Sequence, residues 1–164
     1  MSETTSDSPV AGATLGGAEE REPGFGDCSV SARVRTGPLV GPVLRRMVSI
    51  ALARADWPLD RLDDALLVCD ALSAHAPRHA QARRLSLSVK ADGREAELRV
   101  GELGHAGAAA LLREATLPVV GNVLEGIAED VRSVREPGGG STLALVLKTW
   151  SEPGPALSPT EALD

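Results

Sequence analysis

The period of the apolar residues changes several times along the chain, and this feature constrains the fold most. Alternation with period two predicts a strand with one buried face, whereas spacings of three and four predict an amphipathic helix. Cys28, Val30, Ala32 and Val34 alternate with serine and arginine residues. The first segment with a clear period is therefore predicted to be a strand.

Two helices are predicted after this strand. Between Pro38 and Arg54 the apolar residues lie three and four positions apart, and prolines are tolerated near the start of a helix. After Trp57 a second apolar stripe predicts the clearest helix of the chain. We expect Asp60 to cap this helix and Pro77 to stop it.

A hairpin is predicted over residues 84–100, because two alternating segments flank the turn residues Asp92 and Gly93. The remaining predicted elements are helices over residues 106–115 and 121–130 and strands over residues 131–135 and 142–150. The order β-α-α-β-β-α-α-β-β favours an α+β fold, a two-layer sandwich. In it, a mainly antiparallel, mixed sheet is covered by helices on one face.

The length of 164 residues fits one domain. Residues 1–26 and 151–164 have a composition that cannot repay the entropy of ordering, so we expect disordered tails around a domain over residues 27–150. No stretch approaches the roughly 18 apolar residues of a membrane span, and no signal-peptide pattern is present. We therefore expect a cytoplasmic protein.

Composition argues against several classes of function. Aromatic residues make up 2% of the chain and tyrosine is absent, so surfaces that stack nucleic-acid bases are not expected. The formal net charge of −6 argues against direct binding of nucleic acids or anionic membranes. Cys28 and Cys69 have neither a disulfide framework nor metal-ligand spacing, which is typical of a reducing compartment. Cys69 lies on the apolar stripe and is expected to be buried.

The order and lengths of the elements, with several short motifs, resemble the short form of the GHKL ATPase fold. This form occurs in the anti-sigma regulatory factors and serine-protein kinases of Gram-positive bacteria. In that family a helix carries a carboxylate, which holds a water, and four residues later an asparagine, which holds Mg²⁺ against the nucleotide phosphates. Asp70 takes the place of the carboxylate and Ala74 the place of the asparagine. The resemblance implies that Asp70 is the catalytic carboxylate.

Three further motifs extend this resemblance. The family's Asp-x-Gly-x-Gly motif after the hairpin is matched by Glu102 and Gly104, while its second glycine is replaced by alanine. Gly121 resembles the glycine that begins the helix after the nucleotide lid, and Thr142 resembles the threonine at the start of the final strand. The residues that the resemblance implies for ATP binding are Asp70, Glu102, Gly104, Gly121 and Thr142.

The departures from the family pattern affect the expected chemistry. Phosphoryl transfer depends on positioning the nucleotide and on a metal that neutralises phosphate charge. Ala74 cannot bind a metal, so loss of the Mg²⁺ ligand should lower the rate more than the affinity. Glu102 is one methylene longer than the aspartate that recognises adenine. The lid between Glu114 and Gly121 is also short. ATP binding is therefore expected to be weak.

Two functions follow from the resemblance. The first is an anti-sigma-factor-like regulatory protein, a degenerate kinase that binds a sigma factor or an anti-sigma antagonist through its helical face. The alternative is an active ATP-dependent serine/threonine-protein kinase that tolerates Asp70 and Glu102 at their positions. Small members of this fold often pair, so the resemblance also allows a homodimer.

Several of these residues have a simpler interpretation. Asp70 is either a ligand-facing carboxylate or the polar edge of an apolar stripe. Glycines 138–140 either cradle a phosphate or form a hairpin turn. The three histidines, His75, His79 and His105, are too scattered along the sequence to predict a site, and each is expected to be solvated or capping.

Overall fold

The computed structural model describes residues 27–117 and 121–149. The expected tails and Trp150 lie outside these residues. The elements, in chain order, are β1 (Cys28–Arg35), α1 (Val40–Arg54), α2 (Leu59–His79), β2 (Arg84–Ala91), β3 (Glu95–Leu103), α3 (Gly107–Glu114), β4 (Thr116–Leu117), β5 (Gly121–Asn122), α4 (Val123–Ile127), β6 (Asp130–Arg135) and β7 (Ser141–Lys148). A short 3₁₀ turn over Gln81–Arg83 leads into β2.

Five of the strands form one sheet in the order β1-β2-β3-β7-β6. Each of its four strand pairs is antiparallel. The α+β architecture is therefore confirmed, but the prediction of a mixed sheet is wrong for the described strands. Strands β4 and β5 form a separate antiparallel pair of two residues each. The sequence does not predict this pair, because two residues are too few to show alternation.

Apolar residues occupy one face of the sheet and pack against the helices. Val89, Leu98 and Leu145 lie directly opposite one another on β2, β3 and β7, and all three are fully buried. Leu44 of α1 and Leu72 of α2 belong to the same aliphatic core. We call this side of the sheet the helix face.

The other side of the sheet is covered by no described helix and carries mostly polar residues. Arg33 of β1, Ser86 of β2 and Gly101 of β3 are neighbours on it, and each lies next to an inward-facing apolar residue on its own strand. Because side chains alternate along a strand, these residues must point away from the helices. We call this side the open face.

Helix α2 begins and ends differently from the prediction. Pro58 precedes its first turn, and Asp60 lies within that turn and makes no capping hydrogen bond. Pro77 lies inside the helix, which continues to His79. Proline removes one helical hydrogen bond, but Ala76 is buried in the core and His79 contacts α3. These tertiary contacts hold the last turn in place.

Two local predictions near the turns had different outcomes. The turn at Asp92 is confirmed, because its carboxylate accepts hydrogen bonds from two backbone N–H groups on the way into β3. The helix predicted over residues 121–130 spans only Val123–Ile127. Asn122 caps it by accepting from the N–H groups of the second and third helical residues. Ala128 is extended, which ends the helix after five residues.

Candidate functional site

Asp70, the expected catalytic carboxylate, lies on the side of α2 that faces α1. Its oxygens accept two hydrogen bonds from the guanidinium of Arg45, from Nε at 2.8 Å and from Nη2 at 2.5 Å. This bidentate geometry is the strong form of an arginine–carboxylate pair. The hydrogen bond and the charge of Asp70 raise the pKa of Arg45 above its usual value. Asp70 is therefore neutralised by the neighbouring helix.

The position expected to hold Mg²⁺ is on the outer surface of the helical layer. Ala74 is exposed, and it lies one turn beyond Asp70. Ser73 beside it donates a hydrogen bond to the carbonyl of Cys69, inside the same helix. Gly41 of α1 packs close to Ser73, since an added Cβ would lie 3.4 Å from the Ser73 Oγ. This face of α2 is therefore shared between α1 and solvent.

Glu102 is at an irregularity in β3. The register between β3 and β7 shifts between Val100 and Leu103, and Glu102 has φ of +60°, in the left-handed region. Its carboxylate forms an ion pair with Nε of Arg33 on the open face of the sheet. Because Asp70 belongs to the helical layer, the sheet stands between the two carboxylates that the resemblance assigns to one nucleotide.

Thr142 lies on the open face beside Glu102, whereas Gly121 belongs to a separate short strand. The Thr142 hydroxyl donates to the carboxylate of Glu136 at 2.9 Å, and Thr142 pairs with the open-face residue Val134 of β6. Gly121 lies in β5 with φ of +84°, which is easily adopted only by glycine. Glu102 and Thr142 lie opposite each other at the irregularity between β3 and β7, and Gly104 directly follows β3, whereas Asp70 and Gly121 belong to other elements of the fold.

Gly104 is part of a buried junction between β3, α2 and α3. Its N–H donates to the carbonyl of His79 at 2.8 Å. Its carbonyl accepts from the hydroxyl of Ser141 at 2.7 Å, and the same hydroxyl accepts from the N–H of Ala108 at 3.0 Å. Ser141 is the only polar residue among the described residues that is fully buried. The sequence pointed to Thr142, but the hydroxyl that organises this junction belongs to the preceding residue.

The structure brings together two histidines and a glutamate that the sequence interpretation left apart. His75 and His79 are one turn apart on α2, and Glu114 ends α3. Nε2 of His79 lies 3.0 Å from Oε2 of Glu114, and Nδ1 of His75 lies 3.9 Å from the same oxygen. Arg78 approaches it to 4.0 Å. The spacing of four residues between the histidines was the signal that places them on one helix face.

The environment of this cluster favours an ionised glutamate. The pKa of Glu114 is lowered, mainly by its hydrogen bond with His79, with further contributions from the charges of His79, Arg78 and His75. Nδ1 of His75 is shielded from solvent and has no hydrogen-bond partner. Across residues 27–117 and 121–149, no group of three or more His, Cys, Asp or Glu residues is arranged to hold a metal ion. The contacts of His75 and His79 with Glu114 join the end of α2 to the end of α3.

Cys69 offers no activated nucleophile. Cys69 is fully buried, and burial raises the pKa of its thiol to about 12. A thiol that stays protonated at neutral pH is a poor nucleophile and a poor metal ligand. Cys28 is half-buried at the start of β1. The prediction that Cys69 belongs to the core is confirmed.

The residues present do not fit Mg²⁺-ATP. Mg²⁺ prefers carboxylate and carbonyl oxygens in octahedral geometry, but the Asp70 carboxylate is held by Arg45 and Ala74 has no oxygen in its side chain. The Glu102 carboxylate is held by Arg33 on the far side of the sheet. These side chains therefore do not support phosphoryl transfer through Mg²⁺.

Comparisons with known proteins assign no family. Neither a scan against models of protein families nor a search of curated proteins gives a match for this chain. Among the described helices, none is long and apolar enough to cross a membrane.

Proposed function

We propose that this protein is a regulatory binding module, an anti-sigma-factor-like protein that binds a sigma factor or an anti-sigma antagonist and has lost tight ATP binding. One observation carries the proposal. The two carboxylates needed for the nucleotide each form an ion pair with an arginine, Asp70 with Arg45 and Glu102 with Arg33, on different sides of the sheet. Each carboxylate thus already has a cationic partner, and this supports a protein in which neither serves a nucleotide.

A shift of the helix motif by one residue does not restore the family pattern. The face of α2 that packs toward α3 carries Ala71 and His75, which are also four residues apart. Ala71 supplies no oxygen for a water, and an imidazole at His75 is a poor Mg²⁺ ligand because this ion prefers oxygen. Neither alignment provides a carboxylate followed by a metal-binding amide. This supports a binding role over an enzymatic one.

The distribution of exposed apolar residues supports protein binding through the helical layer. Leu39, Ile50, Leu59 and Leu67 are large apolar residues that are at least 40% exposed, and all lie on α1, on α2 or at the start of α1. Among the described residues, Val134 is the one large apolar residue on the open face that is exposed to a similar degree. Contiguous apolar patches mark docking surfaces, whereas single exposed apolar side chains are common; the helical layer carries four of the five exposed large apolar residues that are described, so we assign the partner to this layer.

Calorimetric titration with ATP and ADP, each with and without Mg²⁺, tests the loss of nucleotide binding. We expect a Kd for Mg²⁺-ATP no tighter than about 100 μM, about −5.5 kcal/mol. A low-micromolar Kd that depends on Mg²⁺ would instead favour the active kinase.

Partner binding is tested by titrating individually purified sigma factors and anti-sigma antagonists from the source organism. We expect one of them to bind and Leu67→Glu on α2 to weaken binding at least tenfold. The matched control is Val134→Glu, which adds the same charge on the open face and should leave the affinity unchanged. Equal losses for both variants would contradict binding through the helical layer.

A further inference from the structure

Two arginines with no acidic partner face each other at one end of the sheet. Arg35, the last residue of β1, lies directly opposite Arg84, the first residue of β2. The N–H of Thr36 donates to the carbonyl of Arg83, so the neighbouring pair, Arg35 with Arg84, is one without hydrogen bonds between its residues. Side chains start closest together in such a pair, and like charges directly opposite each other are destabilising. The register of β1 and β2 therefore holds two positive charges together against their repulsion.

Other arginines on the open face have a carboxylate beside them. Three of them form ion pairs with acidic residues of the sheet: Arg33 with Glu102, Arg99 with Glu97, and Arg132 with Asp130. Arg35 and Arg84 form no ion pair with any described residue. Their charges can therefore bind an anion from outside the fold.

A third arginine joins this pair in one cavity. The cavity has a volume of about 400 Å³ and is lined by Arg35, Thr36, Ala82, Arg83 and Arg84. We call it the arginine cavity. Arg83 also lacks an ion pair with the described residues, and the described lining contains no aspartate or glutamate. Three positive charges thus meet in a space large enough for a small ligand.

The backbone is strained where it forms the arginine cavity. Ala82 has φ of +51° and Arg83 has φ of +56°. Both values lie in the left-handed region, which is unfavourable for residues that carry a Cβ. Strain of this kind is concentrated at ligand-binding sites. Here it lies in the turn that adds Arg83 to the pair of Arg35 and Arg84.

We propose that the arginine cavity binds the phosphate group of a phosphate monoester. Guanidinium groups donate forked, charge-assisted hydrogen bonds to phosphate oxygens. A carboxylate would neutralise one of the three positive charges, whereas a phosphate monoester brings close to two negative charges at neutral pH. The group can be carried by a phosphorylated side chain of a protein or by a small free phosphate compound. The formal net charge of −6 argues against the phosphates of a nucleic acid.

Titration of the isotope-labelled full-length chain, followed by NMR, tests the proposal. The first ligand is N-acetyl-phosphoserine amide, which is mainly a dianion at about pH 7.5. At constant ionic strength we expect a Kd of about 1 mM, which two charge-assisted hydrogen bonds would supply. The side-chain signals of Arg35, Arg83 and Arg84 should shift most.

A parallel titration with inorganic phosphate separates the two sources of the group. Binding at least threefold weaker than that of the phosphoserine compound would assign the cavity to a phosphorylated side chain. A smaller difference, or tighter binding, would assign it to a free phosphate compound.

Arg84→Gln tests the role of the arginine pair. It removes one guanidinium and should weaken binding of the phosphoserine compound at least tenfold. The matched control is Arg135→Gln, because Arg135 is likewise exposed and ends a strand; its Kd should equal that of the wild type. Without phosphate, Arg84→Gln should leave the urea midpoint unchanged or raise it, since it relieves a repulsion.

The charge of the ligand provides a second test. Acetate carries one negative charge and should bind at least tenfold more weakly than the phosphoserine compound. Lowering the pH to about 5 protonates the phosphate, whose second pKa is about 6, and should also weaken binding severalfold. The arginines that line the cavity keep their charge over this range.

Several outcomes would overturn the proposal. They are arginine signals that do not shift at ten times the expected Kd, equal losses of affinity in both glutamine variants, and a urea midpoint that falls in Arg84→Gln. Acetate binding as tight as that of the phosphoserine compound would instead assign the cavity to an acidic peptide. The inference does not depend on the proposed function, because no lining residue belongs to α1 or α2, so either set of titrations can fail without the other.

Discussion

The buried hydroxyl of Ser141 offers the sharpest test of how the fold organises the glycine motif at the end of β3. Ser141→Ala removes this hydroxyl and adds no bulk. The N–H of Ala108 then loses its partner inside the core, where Ala108 is fully buried. The carbonyl of Gly104 loses one of two donors but keeps the hydrogen bond from the N–H of Gly107.

The expected cost follows from this difference between the two backbone groups. A buried donor left without a partner costs about 1–3 kcal/mol, whereas the loss of one of two bonds at a carbonyl costs less. We therefore expect Ser141→Ala to lower the free energy of unfolding by about 2 kcal/mol. With a urea m-value of about 2 kcal/mol/M, the midpoint of unfolding should fall by about 1 M.

Urea unfolding followed by circular dichroism measures this change. Ser88→Ala is the control, because Ser88 is only half-buried on β2 and surface substitutions usually change stability by less than about 0.5 kcal/mol. A midpoint for Ser141→Ala within 0.2 M of the wild type, at an unchanged m-value, would mean that Ala108 finds another partner and that the argument is wrong.

Three further predictions concern the thiols, the cluster of His75, His79 and Glu114, and the nucleotide motif. In the folded protein at pH 8, a thiol reagent should modify Cys28 and leave Cys69 unmodified until the chain unfolds, since the raised pKa and burial of Cys69 remove its thiolate; rapid modification of both would contradict this. Because the pKa of Glu114 is lowered in the folded protein, its ionised carboxylate stabilises the fold at pH values above the usual carboxyl range. This stabilisation is lost as the pH falls through the lowered pKa. Glu114→Gln should therefore flatten the pH dependence of the urea midpoint between about pH 3 and 5. An unchanged slope would mean that other carboxyl groups cause this pH dependence. Ala74→Asn combined with Glu102→Asp should change the calorimetric Kd for Mg²⁺-ATP less than twofold, because the sheet separates the two positions; a tenfold gain, about 1.4 kcal/mol, would show that they share a site.

The elements with long, regular periods were predictable from the sequence. The hairpin of β2 and β3 alternates over both strands around Asp92, and α2 carries an apolar stripe over many turns, so burial alone determines both. The ends of α2 were not predictable from local rules. Pro77 should stop a helix, but contacts of His79 with Glu114 retain one more turn. Tertiary contacts of this kind do not appear in a local pattern.

The candidate site was harder to predict because small local changes move side chains to different faces. One residue along a helix rotates a side chain by about 100°, which separates Asp70 beside α1 from His75 beside Glu114. A one-residue irregularity in a strand has an equally large effect, since it sends the Glu102 side chain to the open face and to Arg33. A motif matched by spacing alone therefore locates residues along the chain but does not show on which face of the fold each side chain lies. Here the ion pairs of Asp70 and Glu102 show it. If Arg45 and Arg33 neutralise these carboxylates, then removing either arginine frees a charge but does not bring the two carboxylates to one side of the sheet.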